Sequence, residues 1–248
     1  MCNDMDEVGM IEGGKAIYGA SVGILMLEAR FPRILGDMGH AATWDFPVLY
    51  KVVRNASPGR VVRKSGDGLL DDFIAAARAL EDDGADGITT NCGFLSLFQD
   101  ELAAAVSVPV LTSSLMQVAA VNAILAKGKR AGILTISQST LTEAHLQRAG
   151  VPDGTPIGTT EGGAHFTEAI LGDAPKLDPE AAEADNVAAA NALAADHPDV
   201  GAIVLECTNM TPYGRAIQQA TGLPVYSMVG FVNWFQSGLH PPDWPHRI

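Results

Sequence analysis

The stretch Gly87-Ile-Thr-Thr-Asn-Cys-Gly-Phe94 decides how the chain is read. A short run of strand formers ends in a polar Thr-Thr-Asn, then Cys92, then a glycine. Leu95, Phe98, Leu102 and Val106 follow at helical spacing, so a helix leaves the strand just past the thiol. A second stretch, Ala202-Ile-Val-Leu-Glu-Cys-Thr-Asn-Met210, repeats the arrangement 115 positions later. Each cysteine stands where a buried strand ends and a helix begins. After each helix comes a short strand introduced by proline, Val108-Pro-Val and Leu223-Pro-Val. The recurrence indicates an internal duplication, two similar halves related by a pseudo-two-fold.

Outward from Gly87, Asp71 to Asp83 reads as a helix. Phe73, Ile74, Ala77 and Leu80 form its apolar stripe, Asp67 or Asp71 is the N-cap, and Gly84 ends it. Ile17 to Leu27 is an apolar run and reads as a first strand buried on both faces. Glu28 to His40 has loop chemistry. Phe46 to Arg54 reads as a helix or part of one, and Arg60 to Arg63 as a short strand. Downstream, strands are expected at 109–112, 130–136, around Ile157, at 200–205 and at 223–228. Helices are expected at 115–126, 141–149, 165–171, 179–196 and 229–238, with Pro212 opening one that runs to about Ala220.

Strands alternating with helices imply βαβ units and parallel sheets. The fold class is therefore α/β: two pseudo-symmetric lobes, each a parallel sheet flanked by helices. Ligands of such sheets bind outside the carboxyl ends of strands, which puts the active site in the inter-lobe cleft. The first lobe is expected to take residues 15–114 with 224–248 and to carry Cys92. The second takes 115–223 and carries Cys207, and residues 1–14 form a loose tail.

The 248 residues are 47% hydrophobic and 18% charged, ordinary for a globular protein, with a net charge of -13. No cluster of Lys or Arg escapes that acidity, so nucleic acid is not an expected partner. No apolar run approaches the roughly 20 residues that cross a bilayer, and the N-terminus lacks an apolar signal core. Of three cysteines, Cys2 sits in the tail and two sit at strand ends, which is no disulfide framework. A cytoplasmic location is expected.

A thiol's pKa falls at a helix N-terminus, and both Cys92 and Cys207 are placed for that. One thiolate could take a proton from a carbon while the other thiol returns one to the opposite face. That carbon must be acidified by a neighbouring carboxylate, whose developing charge needs hydrogen-bond donors. Asn91, Gly93, Thr208, Asn209, Ser113, Thr135 and Ser137, with main-chain N–H groups after each cysteine, are the candidate binders of a small carboxylate. No PLP-lysine context or metal-ligand cluster is present in the sequence, so no cofactor and no metal are expected. Asp37 and His40 lie in the loop after the first strand and are further binding candidates. His165 reads as a loop residue. Glu206 alternates away from Cys207 on an extended strand and reads as structural, because a carboxylate beside the thiol would oppose thiolate formation.

Thr90-Asn91-Cys92-Gly93 and Glu206-Cys207-Thr208-Asn209, with the order of elements from about Ile17 to Gly238, resemble the aspartate/glutamate/hydantoin racemase superfamily. The resemblance implies two α/β lobes clasping a small carboxylate between two cysteines, without cofactor, in a dimer or higher oligomer. It implies Cys92 and Cys207 as the acid/base pair, and the Thr208 hydroxyl and nearby main-chain donors as carboxylate binders. Gly36-Asp-Met-Gly-His-Ala-Ala-Thr43 is similar to the loop after the first strand in the aspartate branch. Where amino-acid racemases carry Cys-Asn-Thr, Cys92 is followed here by Gly93 and Phe94. Where they carry Cys-Thr-His or Cys-Thr-Glu, Asn209 follows Thr208. The activity expected first is a racemase or epimerase of a small carboxylate or amino acid. Second is a lyase of the dimethylsulfoniopropionate type on the same scaffold. A decarboxylase or maleate isomerase follows.

Overall fold

The computed structural model describes residues 13–242 and 244. Most of the expected 1–14 tail, Cys2 included, and the last residues of the C-terminal tail lie outside that range. The chain runs β1 (Val22–Leu27), β2 (Val48–Val53), α1 (Pro58–Arg63), α2 (Leu70–Asp83), β3 (Gly87–Thr90), α3 (Gln99–Ala105), β4 (Val110–Leu111) and α4 (Val118–Ile124). It continues β5 (Arg130–Thr135), α5 (Glu143–Arg148), β6 (Ile157–Thr159), α6 (Phe166–Leu171), α7 (Pro179–Asp196), β7 (Val200–Leu205), α8 (Gly214–Thr221), β8 (Val225–Tyr226) and α9 (Met228–Leu239).

The strands form two four-stranded sheets, ordered β2-β1-β3-β4 and β6-β5-β7-β8. Every pairing is parallel. The two orders are the same pattern, so the repeat read from the cysteine stretches is a repeat of whole sheets. The cysteine-bearing connection follows the third strand of each. β1 shows why a strand central to such a sheet is apolar throughout. Leu25 and Leu27 point into the main core, while Val22, Ile24 and Met26 pack with Met228 and Val232 of α9 on the other face.

The lobes exchange their last helices. After β4 the chain crosses, and α4 packs against β5 of the second sheet; after β8 it crosses back, and α9 covers the first. Val225 and Tyr226 pair with Ile203 and Val204. The segment from 224 therefore gives its strand to the second sheet and only its helix to the first, and the expected boundary moves past β8. The main apolar core is continuous between the lobes, taking in Ile88, Cys92 and Leu95 with Ile133, Val204 and Cys207.

Four local expectations are corrected. Residues 48–53 are an edge strand paired to β1, not a helix; it is rich in β-branched valine, and all of it but Val53 is partly covered or exposed, which suits an edge. Residues 58–63 are a helix, not a strand. Ser57 caps it by accepting from the Arg60 N–H, and Pro58 occupies the first turn, where its missing N–H costs nothing. β1 begins at Val22 rather than Ile17: Gly19 takes a positive φ and Tyr18 is exposed, so the chain turns before it enters the sheet. Pro212 lies inside a 3-10 turn, Thr208–Tyr213, and the α-helix starts after it at Gly214.

Candidate active site

Each cysteine caps a 3-10 turn. β3 ends at Thr90, and Cys92, in extended conformation, opens the turn Gly93–Phe98. β7 ends at Leu205, and Cys207, also extended, opens Thr208–Tyr213. The Phe94 and Leu95 N–H groups face the Cys92 sulfur, and the Asn209 N–H faces the Cys207 sulfur. Both are free thiols, only 8% and 7% exposed. They meet in one tight cavity between the lobes, with about 20 Å³ of free space, room for about one water molecule.

The cavity's apolar lining includes Phe31, Val62 and Phe94 of the first lobe and Ile136, Ile170 and Leu171 of the second. Its polar lining comes from Asn91, Cys92, Gly93, Glu206, Cys207, Thr208 and Asn209. Among the described residues, no Lys, Arg or His lines it. Of the expected binders, Asn91, Gly93, Thr208 and Asn209 are there; Ser113, Thr135 and Ser137 are not. Ser113 caps the 3-10 turn Ser114–Gln117 by accepting from the Leu115 N–H. Ser137 donates to Glu161, 2.7 Å away, in a separate surface depression. Thr135 sits one step behind the cavity and donates to Glu206 Oε2 at 2.8 Å.

Two of the polar groups are already committed. Asn91 Oδ1 accepts from the Leu27 N–H at 2.8 Å, and Thr208 Oγ1 donates across the lobes to the Asn91 carbonyl at 2.6 Å. These bonds fix the relative position of the two cysteines. Asn209 donates to Asp37 Oδ2, and the other Asp37 oxygen accepts from Arg33 and the Gly39 N–H, both at 2.7 Å. The loop after β1 is thus tied to the Cys207 turn, with Arg33 stacked 4.8 Å over Phe31. His40 does not reach the cavity; it caps Ala41–Thr43. His165 accepts from the Asp178 N–H at 2.8 Å.

Residues 62–232 match the family model for Asp/Glu/Hydantoin racemase. The chain belongs to this family. A dimethylsulfoniopropionate lyase from Durusdinium sp. clade D is 30% identical over 92% of this chain and 79% of its own length. Dimethylsulfoniopropionate lyase 3 from Emiliania huxleyi (strain CCMP1516) is 32% identical over 88% of this chain, which spans 60% of that longer protein. Among solved structures, arylmalonate decarboxylase superposes with a TM-score of 0.59 at 19% identity, covering 92% of this chain and 95% of that one. Glutamate racemase from Bacillus anthracis gives 0.60 at 16%, covering 89% of this chain and 81% of that one. Both structures share the fold.

As a member of the Asp/Glu/Hydantoin racemase family, the protein differs from the sequence expectation in its electrostatics. The thiols are not lowered. Burial pushes Cys92 up to about 12, with the Glu206 charge adding to it and the Phe94 and Leu95 N–H groups opposing. Cys207 is raised well above the ordinary thiol range by burial first and Glu206 second. The turns they cap are six residues each, and their few N–H groups do not offset desolvation by burial.

Glu206 is the residue that sequence reasoning set aside. Strand alternation stops with β7 at Leu205, so it does not carry Glu206 away from the cavity, and Glu206 lines that cavity with Cys207. It is fully buried. Burial raises its carboxyl to about 7, against the Thr135 hydroxyl and the Ile136 N–H. Gly93 is what makes room for it. A Cβ there would stand 2.3 Å from Glu206 Oε1 and 2.5 Å from the Glu206 carbonyl oxygen. The signal was present in the sequence: one acid at the end of an otherwise apolar strand, facing a glycine where the family carries a larger residue. Among the described residues, no three His, Cys, Asp or Glu side chains gather as a metal ion would require.

Proposed function

We propose that the chain is a lyase that breaks a small sulfonium carboxylate of the dimethylsulfoniopropionate type by β-elimination, without a cofactor. The observation that carries this reading is the cavity itself. It is small, it brings two thiols together among apolar side chains, and no Lys, Arg or His among the described residues lines it. A dimethylsulfonium group has no hydrogen to donate. It needs apolar and aromatic contact rather than acceptors in fixed positions, and Phe31 and Phe94 offer that. An α-ammonium would ask for several well-placed acceptors, and the Asn91 oxygen already accepts from the Leu27 N–H and the Asn209 oxygen from the Cys207 thiol. The lyase relatives, similar over most of the chain, support the same reading.

In this scheme a cysteine thiolate takes the proton on the carbon next to the carboxylate. The C–H electron pair becomes the carbon–carbon double bond. The carbon–sulfur bond breaks with its pair going to sulfur, so neutral dimethyl sulfide leaves and acrylate remains. Cys92 is assigned as the base. Two N–H groups face its sulfur and the Arg33 charge favours its thiolate, whereas Cys207 has one N–H and the Asp37 charge against it. The bound sulfonium lowers the cost of that thiolate by placing a positive charge in the cavity. Cys207, on the other lobe, is the second proton-handling thiol and keeps the cavity neutral on its side.

A second reading, racemisation, is favoured by one feature that elimination does not need: a thiol from each lobe can address both faces of one carbon. The two are separated by incubating the protein with dimethylsulfoniopropionate, and with single enantiomers of small α-substituted acids, in heavy water. Dimethyl sulfide in the headspace and acrylate by NMR support the lyase. Deuterium at the α-carbon with loss of optical rotation, and no dimethyl sulfide, supports the racemase instead.

A further inference from the structure

Glu206 has an oxygen that nothing in the fold uses. Its Oε2 accepts from Thr135, but Oε1 is buried with no hydrogen-bond partner and lies against Gly93 at the edge of the cavity. A fully buried carboxylate with one bare oxygen is costly. A carboxylic acid in the same place carries a proton on that oxygen and has a donor to offer. Among the described residues no Lys, Arg or His lines the cavity to receive a substrate carboxylate, and the Thr208 hydroxyl already donates to the Asn91 carbonyl, which leaves the Asn91 amide N–H groups and Glu206 as side-chain donors. We propose that Glu206 binds substrate as the neutral acid, donating its Oε1 proton to the substrate's carboxylate, where negative charge grows as the α-proton is removed. The inference deepens the lyase reading, since it concerns the same site, but it needs only that the site take a small carboxylate.

The surroundings agree. The ionisable groups facing Glu206 are Cys92 from the first lobe and Cys207 beside it; behind Asn209 stands the Arg33–Asp37 pair of the loop after β1. His145, stacked edge-on behind Phe94, is buried and held down to about 4 by that burial, so it adds no charge at neutral pH. An incoming carboxylate adds negative charge to a cavity whose thiols are neutral, which favours the protonated form of Glu206. The carboxyl already sits near 7 before substrate arrives. The proton is therefore held below that pH and must be taken up from water above it.

The test uses propionate, a plain carboxylate without the sulfonium group. Calorimetric titration at pH 8 in buffers of different ionisation enthalpy should show uptake approaching one proton per propionate bound. Affinity should fall about tenfold for each pH unit above 7. Glu206→Gln keeps the shape, the Thr135 contact and a donor. It should bind propionate with no proton uptake and with affinity independent of pH between 6 and 8.5. Glu206→Leu, with no donor, should bind at least about tenfold more weakly than the Gln variant. No propionate binding, binding without proton uptake, or the same uptake in Glu206→Gln would each overturn the proposal. If propionate binds with proton uptake while dimethylsulfoniopropionate yields no dimethyl sulfide, the lyase reading fails and the role of Glu206 stands.

Discussion

At the scale of single residues, the site is set by a contact across the lobes between a glycine and a glutamate. Gly93 leaves no space for a methyl group, because both the side chain and the main chain of Glu206 are in the way. Gly93→Ala should cost about 1–3 kcal/mol of stability by overpacking and lower turnover by shifting Cys92. Removing the Glu206 side chain as well should not restore it, because the carbonyl oxygen at 2.5 Å remains. Denaturant titration of the single and double variants checks this; full recovery in the double variant would show that only the carboxyl is in the way. Glu206 also makes stability depend on pH. Its carboxyl is about 7 in the fold against an ordinary 4.5, so the fold favours the protonated form. That contribution is complete below the ordinary value and is lost as pH rises through 7, a change of about 3 kcal/mol. Urea midpoints measured from pH 4.5 to 8 should fall in the native protein relative to Glu206→Gln; parallel curves would contradict the assignment.

At the scale of elements, the loop between β1 and β2 closes over the cavity because Asp37 answers two partners at once. It holds Arg33 in its own loop and Asn209 in the turn after Cys207. Arg30 and the Phe31 N–H reach Asp173, at the end of α6. The cysteines are nearly closed off from solvent, so a substrate reaches them only if an element lining the cavity moves. Asn209→Ala removes one hydrogen bond to a charged group, and the amides of residues 33–43 should exchange about tenfold faster or more. Unchanged protection by hydrogen-exchange mass spectrometry would show that Asp37 needs only Arg33. Most elements were legible because their signals were local: Asp178-Pro179 opens α7, Gly84 ends α2, and the apolar runs of β5 and β7 are unbroken. Two elements were misread for the same reason. Residues 48–53 and 58–63 are each six residues long, too short for periodicity to separate a strand from a helix. Ser57-Pro58 carried the better clue through its capping chemistry. At the site, the cysteines and their flanking Asn91, Gly93, Thr208 and Asn209 could be read from the repeat itself. Ser113 and Ser137 could not be excluded that way, because a strand end fixes which end of the sheet a residue lies on but not which cleft it faces.

At the scale of the whole molecule, two sheets of one pattern are locked by exchanged helices, by Thr208 bonding to Asn91, and by a core that runs through both cysteines. The lobes should therefore unfold together. Far-UV circular dichroism and tryptophan fluorescence should give coincident urea transitions, and two separated transitions would mean that the lobes are independent units. The same arrangement is why neither thiol is a site on its own: the cavity has one wall from each lobe, and each wall brings one cysteine. The most direct test is the rate of dimethyl sulfide release from dimethylsulfoniopropionate by Cys92→Ser and Cys207→Ser, with circular dichroism confirming the fold of each. The two-thiol account predicts that each variant loses roughly 100-fold or more of the native rate, the usual contribution of a positioned acid or base. Native rates in both single variants, with the substrate turned over by the native protein, would contradict it.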